Sequence, residues 1–247
     1  MYSWKAIRSV ASILLLLPIV HLAYLVSRDT LASLDASPHV WQEEIDAYAR
    51  IDSQSTLPDE PIVVVGGRRA TLWRQLEDAL APHPVLMRGL GDAIVEDITA
   101  NYSRLVGYYR PEILILVPGT SEFFLRDNKS PEELVAAIQA LHQLDTSYGT
   151  TNQFYVIGPM KTVSRPKDNA RVSEVIRALK DWATERDSVT LIDPNPILSD
   201  ASGRPKPRYF RSDGLHLNDE GYLRLSFLVS EQVKTDVRLD DTVTASR

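Results

Sequence analysis

From Pro61 onward, short runs of β-branched and aliphatic residues alternate with longer stretches whose apolar positions recur at helical spacing. The runs Ile62–Val65, Val85–Met87, Ile113–Val117, Phe154–Ile157 and Val189–Ile192 read as strands, and the stretches near 71–81, 93–107, 131–145, 168–186 and 219–234 read as helices. Strands separated by helix-length connections pair in parallel through crossovers rather than as hairpins. In Ile113-Leu114-Ile115-Leu116-Val117 no polar residue alternates with the apolar ones, so both faces of that strand are buried and helices cover both sides of the sheet. The pattern predicts an α/β fold: three layers, α/β/α, around a doubly wound, mainly parallel five-stranded sheet spanning residues 61–235. No internal repeat or low-complexity tract interrupts it.

The N-terminal part follows a different pattern. Ser9 to Val26 carries no formal charge and approaches the roughly 18 to 20 apolar residues that a spanning helix needs. Lys5 and Arg8 precede it, whereas Arg28 is offset by Asp29 and Asp35, so the positive-inside bias puts the N-terminus in the cytoplasm and the remainder in the periplasm or outside the cell. Trp4 and Tyr24 stand where interfacial aromatics are favoured. Residues 1–27 are therefore expected to form a single membrane anchor; the alternative is a cleaved signal peptide, with Leu34-Asp35-Ala36 as a weak cleavage candidate. Residues 28–60 read as a polar linker. Within it Trp41, Ile45 and Tyr48 recur at helical spacing, suggesting a short lead-in helix packed on the domain. The polar stretch 236–247 reads as a disordered tail.

Charge and composition narrow the chemistry. A formal charge of -6 argues against a nucleic-acid partner, which would need a basic face. The absence of cysteine removes thiolate chemistry and Cys-ligated zinc. The five histidines are scattered without a metal-binding pair, so neither a metal nor a cofactor is expected. Two local basic loops, Gly158–Lys167 and Arg204–Arg211, fall on one expected edge; they read as solvated loops, or as a rim attracting acidic glycans or anionic head groups.

In a doubly wound sheet the functional crevice lies beyond the carboxyl ends of the strands. The residues delivered there are Gly66-Gly67-Arg68-Arg69 after the first strand, Arg88-Gly89-Leu90-Gly91-Asp92 after the second and Gly119-Thr120-Ser121-Glu122 after the third. Ahead of the last helix stands Ser212-Asp213-Gly214-Leu215-His216-Leu217-Asn218. Its i,i+3 spacing lets Asp213 accept a hydrogen bond from Nδ1 of His216, which fixes the tautomer and leaves Nε2 free as a base.

These four segments, in this order, resemble the blocks of the SGNH (GDSL-type) hydrolases, a family of serine esterases, lipases and carbohydrate deacetylases with a flavodoxin-like α/β/α fold. The resemblance spans roughly residues 40 to 235 and is most complete in the last block, Phe210–Asn218 with Gly221-Tyr222. It implies that the nucleophile position is held by Arg68, the oxyanion-hole glycine of the second block by Asp92, and the amide donor of the third block by Ser121. A guanidinium cannot be deprotonated at physiological pH and cannot attack an ester, and a carboxylate repels a developing oxyanion. Arg68 is expected either to pair with Asp92 or Glu122 across the old pocket or to receive an anion with help from the backbone at Gly66 and Gly67. The resemblance thus implies an envelope-facing binding or accessory module with hydrolysis lost or impaired. The alternative is an active hydrolase or acyl-transfer enzyme, acting for example on carbohydrate O-acetyl groups, in which Asp213 and His216 activate water or another hydroxyl.

Overall fold

In the computed structural model, strands β1 (Ile62–Gly66), β2 (Val85–Gly89), β3 (Ile113–Val117), β4 (Gln153–Ile157) and β5 (Val189–Ile192) pair in parallel in the order β2-β1-β3-β4-β5. The strand order reverses at β1, whose neighbours are β2 and β3, and this opens a crevice at the carboxyl ends. The structure describes residues 16–24, 38–124 and 128–244. Two units separate in it, Met1–Val40 and Trp41–Arg247; the sheet belongs to the second.

The helices of that unit are α1 (Gln42–Asp52), α2 (Arg68–Thr71), α3 (Leu76–Leu80), α4 (Val95–Ala100), α5 (Tyr102–Leu105), α6 (Pro131–Tyr148), α7 (Asn169–Thr184), α8 (Asn195–Leu198) and α9 (Asp219–Thr244). Alternation divides the strand residues between two faces. Ile62, Val64, Ile113, Ile115 and Val117 join one core cluster with Leu76 and Leu80 of α3 and Leu225 and Val229 of α9. Val63, Val65, Leu114 and Leu116 are equally buried on the other face, where α4, α6 and α7 pack in sequence and bury Ile98, Leu134, Ile138, Leu141, Val175 and Leu179. The three layers expected from the hydrophobic pattern are those observed.

Element boundaries depart from the sequence reading where side chains reach across the fold. The helix expected over 71–81 is two short ones, interrupted where Trp73 is buried and its indole N–H donates to Ser226 Oγ of α9 at 2.8 Å. The one expected over 93–107 divides into α4, α5 and a 3-10 turn, Gly107–Tyr109. By contrast α6 is bounded by local signals: Ser130 and Glu133 form a reciprocal capping box around Pro131, and Gly149, at φ 65°, ends the helix.

Helices flank the sheet at both ends of the unit. Within the stretch 28–60, expected to be a linker with a short lead-in helix packed on the domain, that helix is α1, and it belongs to the second unit, which starts at Trp41. Asp52 at the end of α1 accepts from Arg88 Nη2 at 2.6 Å and from the Tyr109 hydroxyl at 2.5 Å, and the Tyr48 hydroxyl donates to Gly89 O. At the other end, α9 runs on to Thr244, through most of the stretch expected to be a disordered tail. No glycine or proline follows Gly221, so the sequence holds no helix breaker there.

Residues 16–24 are helical. Among the described residues no helix is long and apolar enough to cross a membrane. The rest of the apolar run Ser9–Val26, the flanking Trp4, Lys5 and Arg8, and the cleavage candidate Leu34–Ala36 lie outside the described residues.

Candidate functional site

Three strand ends meet closely at the crevice because glycines let them. A Cβ on Gly66, at φ 150°, would lie 2.1 Å from Val117 O, and one on Gly67 would lie 2.6 Å from Ala93 O. No side chain fits at either position, so the chain after β1 lies directly against the segments after β2 and β3. Arg68 is the next residue, the first of α2, and emerges at the junction.

Its guanidinium takes a fork-shaped grip on Asp92, with Nε donating to Oδ1 at 2.9 Å and Nη2 to Oδ2 at 3.0 Å. The Asp92 hydrogen bonds hold the Arg68 guanidinium above its ordinary value, against partial burial. Both side chains remain partly in water, 48% and 37% exposed, so the pair contributes only about 0.2 to 1 kcal/mol to stability. Glu44 of α1 steadies the same turn by accepting the Gly91 N–H at 2.8 Å.

The other carboxylate proposed for Arg68 points elsewhere. Glu122 is fully buried, bridges Lys129 Nζ at 2.9 Å and accepts the Val95 N–H at 3.0 Å. Burial outweighs the attraction of Lys129 and pushes the Glu122 carboxyl up to about 7. Lys129 also reaches Glu96 at 3.0 Å, so this cluster ties α4 to the segment after β3 instead of lining the crevice. Ser121 is buried at the start of a 3-10 turn, Ser121–Phe123.

The Asp213–His216 pair forms as its spacing predicts. Asp213 Oδ2 faces His216 Nδ1 at 2.8 Å, while Oδ1 accepts the backbone N–H groups of Leu215 at 2.8 Å and His216 at 2.9 Å. Burial would raise the Asp213 carboxyl, but the hydrogen bonds from the His216 ring and these amides hold it down to about 2. Gly214, at φ 63°, turns the loop so that its carbonyl accepts from Val163 and Ser164, both at 3.0 Å. The imidazole is 15% exposed, and its Nε2 is buried without a hydrogen-bond partner among the described residues. The base is therefore oriented and unoccupied; no hydrogen bond joins it to Ser121.

The first basic loop meets the Asp213–His216 segment through these Gly214 contacts, and much of the charge of both basic loops is already engaged. Arg208 pairs with Glu220, Arg204 lies 3.3 Å from Asp200, and Arg165 stacks on the Phe124 ring. Among the described residues no group of three or more His, Asp or Glu side chains is placed to hold a metal ion.

One residue of the site was not singled out from sequence beyond its place in the first segment. Arg69, directly after the fork-forming Arg68, is 2% exposed, and its Nε and Nη2 have no hydrogen-bond partner among the described residues. Burial lowers its guanidinium to about 10, partly offset by Tyr222. Two adjacent arginines read alike in sequence, and only the packing around α2 sends one outward and the other into the core.

The chain's relatives agree with this architecture. Several solved structures share its fold at low identity. One, titled for a platelet activating factor from Streptococcus pneumonia, superposes with TM-score 0.68 at 17% identity over 86% of this chain and 98% of that one. A GDSL-like lipase from Bacteroides thetaiotaomicron gives 0.65 at 13% identity, over 77% and 97%. A carbohydrate esterase family 3 protein from Talaromyces cellulolyticus gives 0.56 at 14% identity, over 72% and 98%. Comparison with curated protein sequences finds no match. The model of the GDSL-like Lipase/Acylhydrolase family matches residues 57–224, well over half of the chain and all four blocks of the crevice, so the chain belongs to that family.

Proposed function

We propose that the chain is a membrane-anchored GDSL-family protein whose ester hydrolysis is lost or strongly reduced, and that it serves at the outer face of the cell envelope as a binding or accessory module. One observation carries the reading: where the family blocks put a nucleophilic hydroxyl and an oxyanion-hole glycine, the crevice holds the Arg68–Asp92 ion pair. A guanidinium neither loses its proton at neutral pH nor attacks a carbonyl. Loss of a serine nucleophile in a triad costs on the order of a million-fold in turnover, and loss of an oxyanion donor about 100- to 1,000-fold. The module's ligand is a carbohydrate or an anionic molecule entering the former pocket, and Ser9–Val26 anchors the domain with its N-terminus in the cytoplasm.

A fluorophosphonate probe tests this reading, because it reports an activated serine whatever the natural ester. The expected result is no labelling of the native chain; robust labelling that disappears in His216→Ala would overturn it. In the converse experiment, Arg68→Ser with Asp92→Gly gains esterase activity on an acetyl ester if the remaining machinery is intact. The second reading, hydrolysis of an ester by water activated on His216, is favoured by the oriented and unoccupied Nε2. It requires acetyl-ester turnover in the native chain that His216→Ala abolishes.

A further inference from the structure

Among the described residues Arg69 is a cation with no counter-charge. It makes no ion pair with a described carboxylate, and Tyr222, whose hydroxyl donates to the Arg69 carbonyl at 3.1 Å, is the charged or titratable group that acts on it. A water can cap a free N–H but leaves the charge uncompensated, and uncompensated buried charge is costly. An anionic ligand bound beside it would offset that cost.

The surroundings offer the place. Arg69 lines a narrow cleft with Gly119, Thr120, Met160, Thr162 and Leu215, the residue before His216. Arg165 and Asp168 also border it, and Asp168 is engaged by Arg171. The cleft therefore has a net positive lining at the ends of β1, β3 and β4. Its free volume is about 20 Å³, more than the roughly 10 to 15 Å³ that one water needs and far less than a sugar ring occupies.

Geometry and charge together select the kind of anion. Nε and Nη2 lie on one edge of a guanidinium and present two parallel N–H groups, the edge that matches a carboxylate in a bidentate pair. In the same molecule Arg68 uses this edge to hold Asp92. On Arg69 the same two atoms are the unpaired ones. The lining carries Arg69 and Arg165 against Asp168, a net charge of one, which suits a carboxylate monoanion and falls short of a phosphate or sulfate dianion.

We propose that the cleft over Arg69 is a receptor for one carboxylate group, belonging to a small organic acid or to an acidic sugar whose ring stays at the mouth. This deepens the binding role proposed above and rests on that reading only in taking the former pocket as a ligand site. It also transfers anion recognition from Arg68, which Asp92 already neutralises, to its neighbour.

Thermal unfolding of the full-length chain in detergent tests the receptor, with sodium acetate and sodium glucuronate set against sodium chloride and sodium phosphate at matched ionic strength. A carboxylate at about a hundred times its Kd is expected to raise Tm by about 5 to 10 °C. Chloride and phosphate are expected to leave it unchanged. A rise with both carboxylates identifies the group alone as sufficient, and a rise with glucuronate only identifies an acidic sugar. Arg69→Met is expected to abolish the rise while increasing Tm of the ligand-free protein, because it removes an unpaired buried cation. Arg69→Lys keeps a cation but not the fork and is expected to weaken carboxylate binding about tenfold, whereas Arg68→Met keeps the full rise. No rise with any carboxylate, an equal rise with chloride or phosphate, or a rise that survives Arg69→Met overturns the proposal. Fluorophosphonate labelling of the native chain would overturn the loss of hydrolysis yet leave these Tm results standing, so the two readings fail separately.

Discussion

Two arginine–aspartate pairs in this protein share a chemistry and differ in surroundings, which makes their relative contributions predictable. Arg68–Asp92 is 48% and 37% exposed, whereas the side chains of Arg88 and Asp52 are 8% and 6% exposed. Removing Asp92 by Asp92→Ala returns a half-solvated guanidinium to water and is expected to cost about 0.2 to 1 kcal/mol. Asp52→Ala leaves Arg88 charged in the interior. It also removes the acceptor of the Tyr109 hydroxyl, since Asp52 receives Arg88 Nη2 at 2.6 Å and Tyr109 at 2.5 Å. Breaking a buried pair from one side costs about 3 to 5 kcal/mol. At roughly 2 to 4 °C per kcal/mol for a chain of this size, Tm falls by about 6 to 20 °C for Asp52→Ala and by no more than about 4 °C for Asp92→Ala. Thermal unfolding followed by near-ultraviolet circular dichroism measures both. Adding Arg88→Met to Asp52→Ala should recover part of the loss, because the stranded charge is then gone. Equal losses in the two single variants would refute the assignment of α1 to the folded unit and the weighting of exposed against buried pairs. The expected outcome also bears on function: a pair that contributes so little to stability is not required at the crevice to hold the fold.

Two further outcomes follow from the same geometry. The Asp213 carboxyl is held down to about 2, below its unfolded value near 3.9. Its contribution is therefore complete above about pH 4 and disappears as pH falls toward 2. Denaturant titrations should show Asp213→Asn less stable than the native chain at neutral pH, with the gap closing across that acid window; a gap that stays constant would contradict the hydrogen bonding described. Gly66→Ala drives a methyl group to 2.1 Å from Val117 O, whereas Gly149, at φ 65°, has nothing within 4 Å of an added Cβ. The first substitution should cost about 3 kcal/mol or prevent folding, and the second only about 1 kcal/mol for the left-handed backbone; unfolding midpoints that rank them the other way would refute the close approach at the crevice.

The strands, their parallel pairing and their burial on both faces were legible in the amino-acid order, because a β-branched run and a helix-length connection are local properties. The Asp213–His216 hydrogen bond was legible for the same reason, since three residues in one turn leave few ways to arrange a carboxylate and an imidazole. Arg68 facing Asp92 was one of three options open from sequence, beside Glu122 and an external anion. Which carboxylate it meets depends on how the ends of β1 and β2 close together, and Lys129 and the Val95 amide draw Glu122 away. The breaks in the helices expected over 71–81 and 93–107 belong to the same class, because Trp73 and Tyr109 find partners far along the chain, at Ser226 and Asp52. Arg69 shows the limit most plainly. Nothing distinguishes it from Arg68 until a helix of one turn is packed against the sheet, since burial and the lack of a partner are properties of everything around a residue and not of its neighbours in the chain.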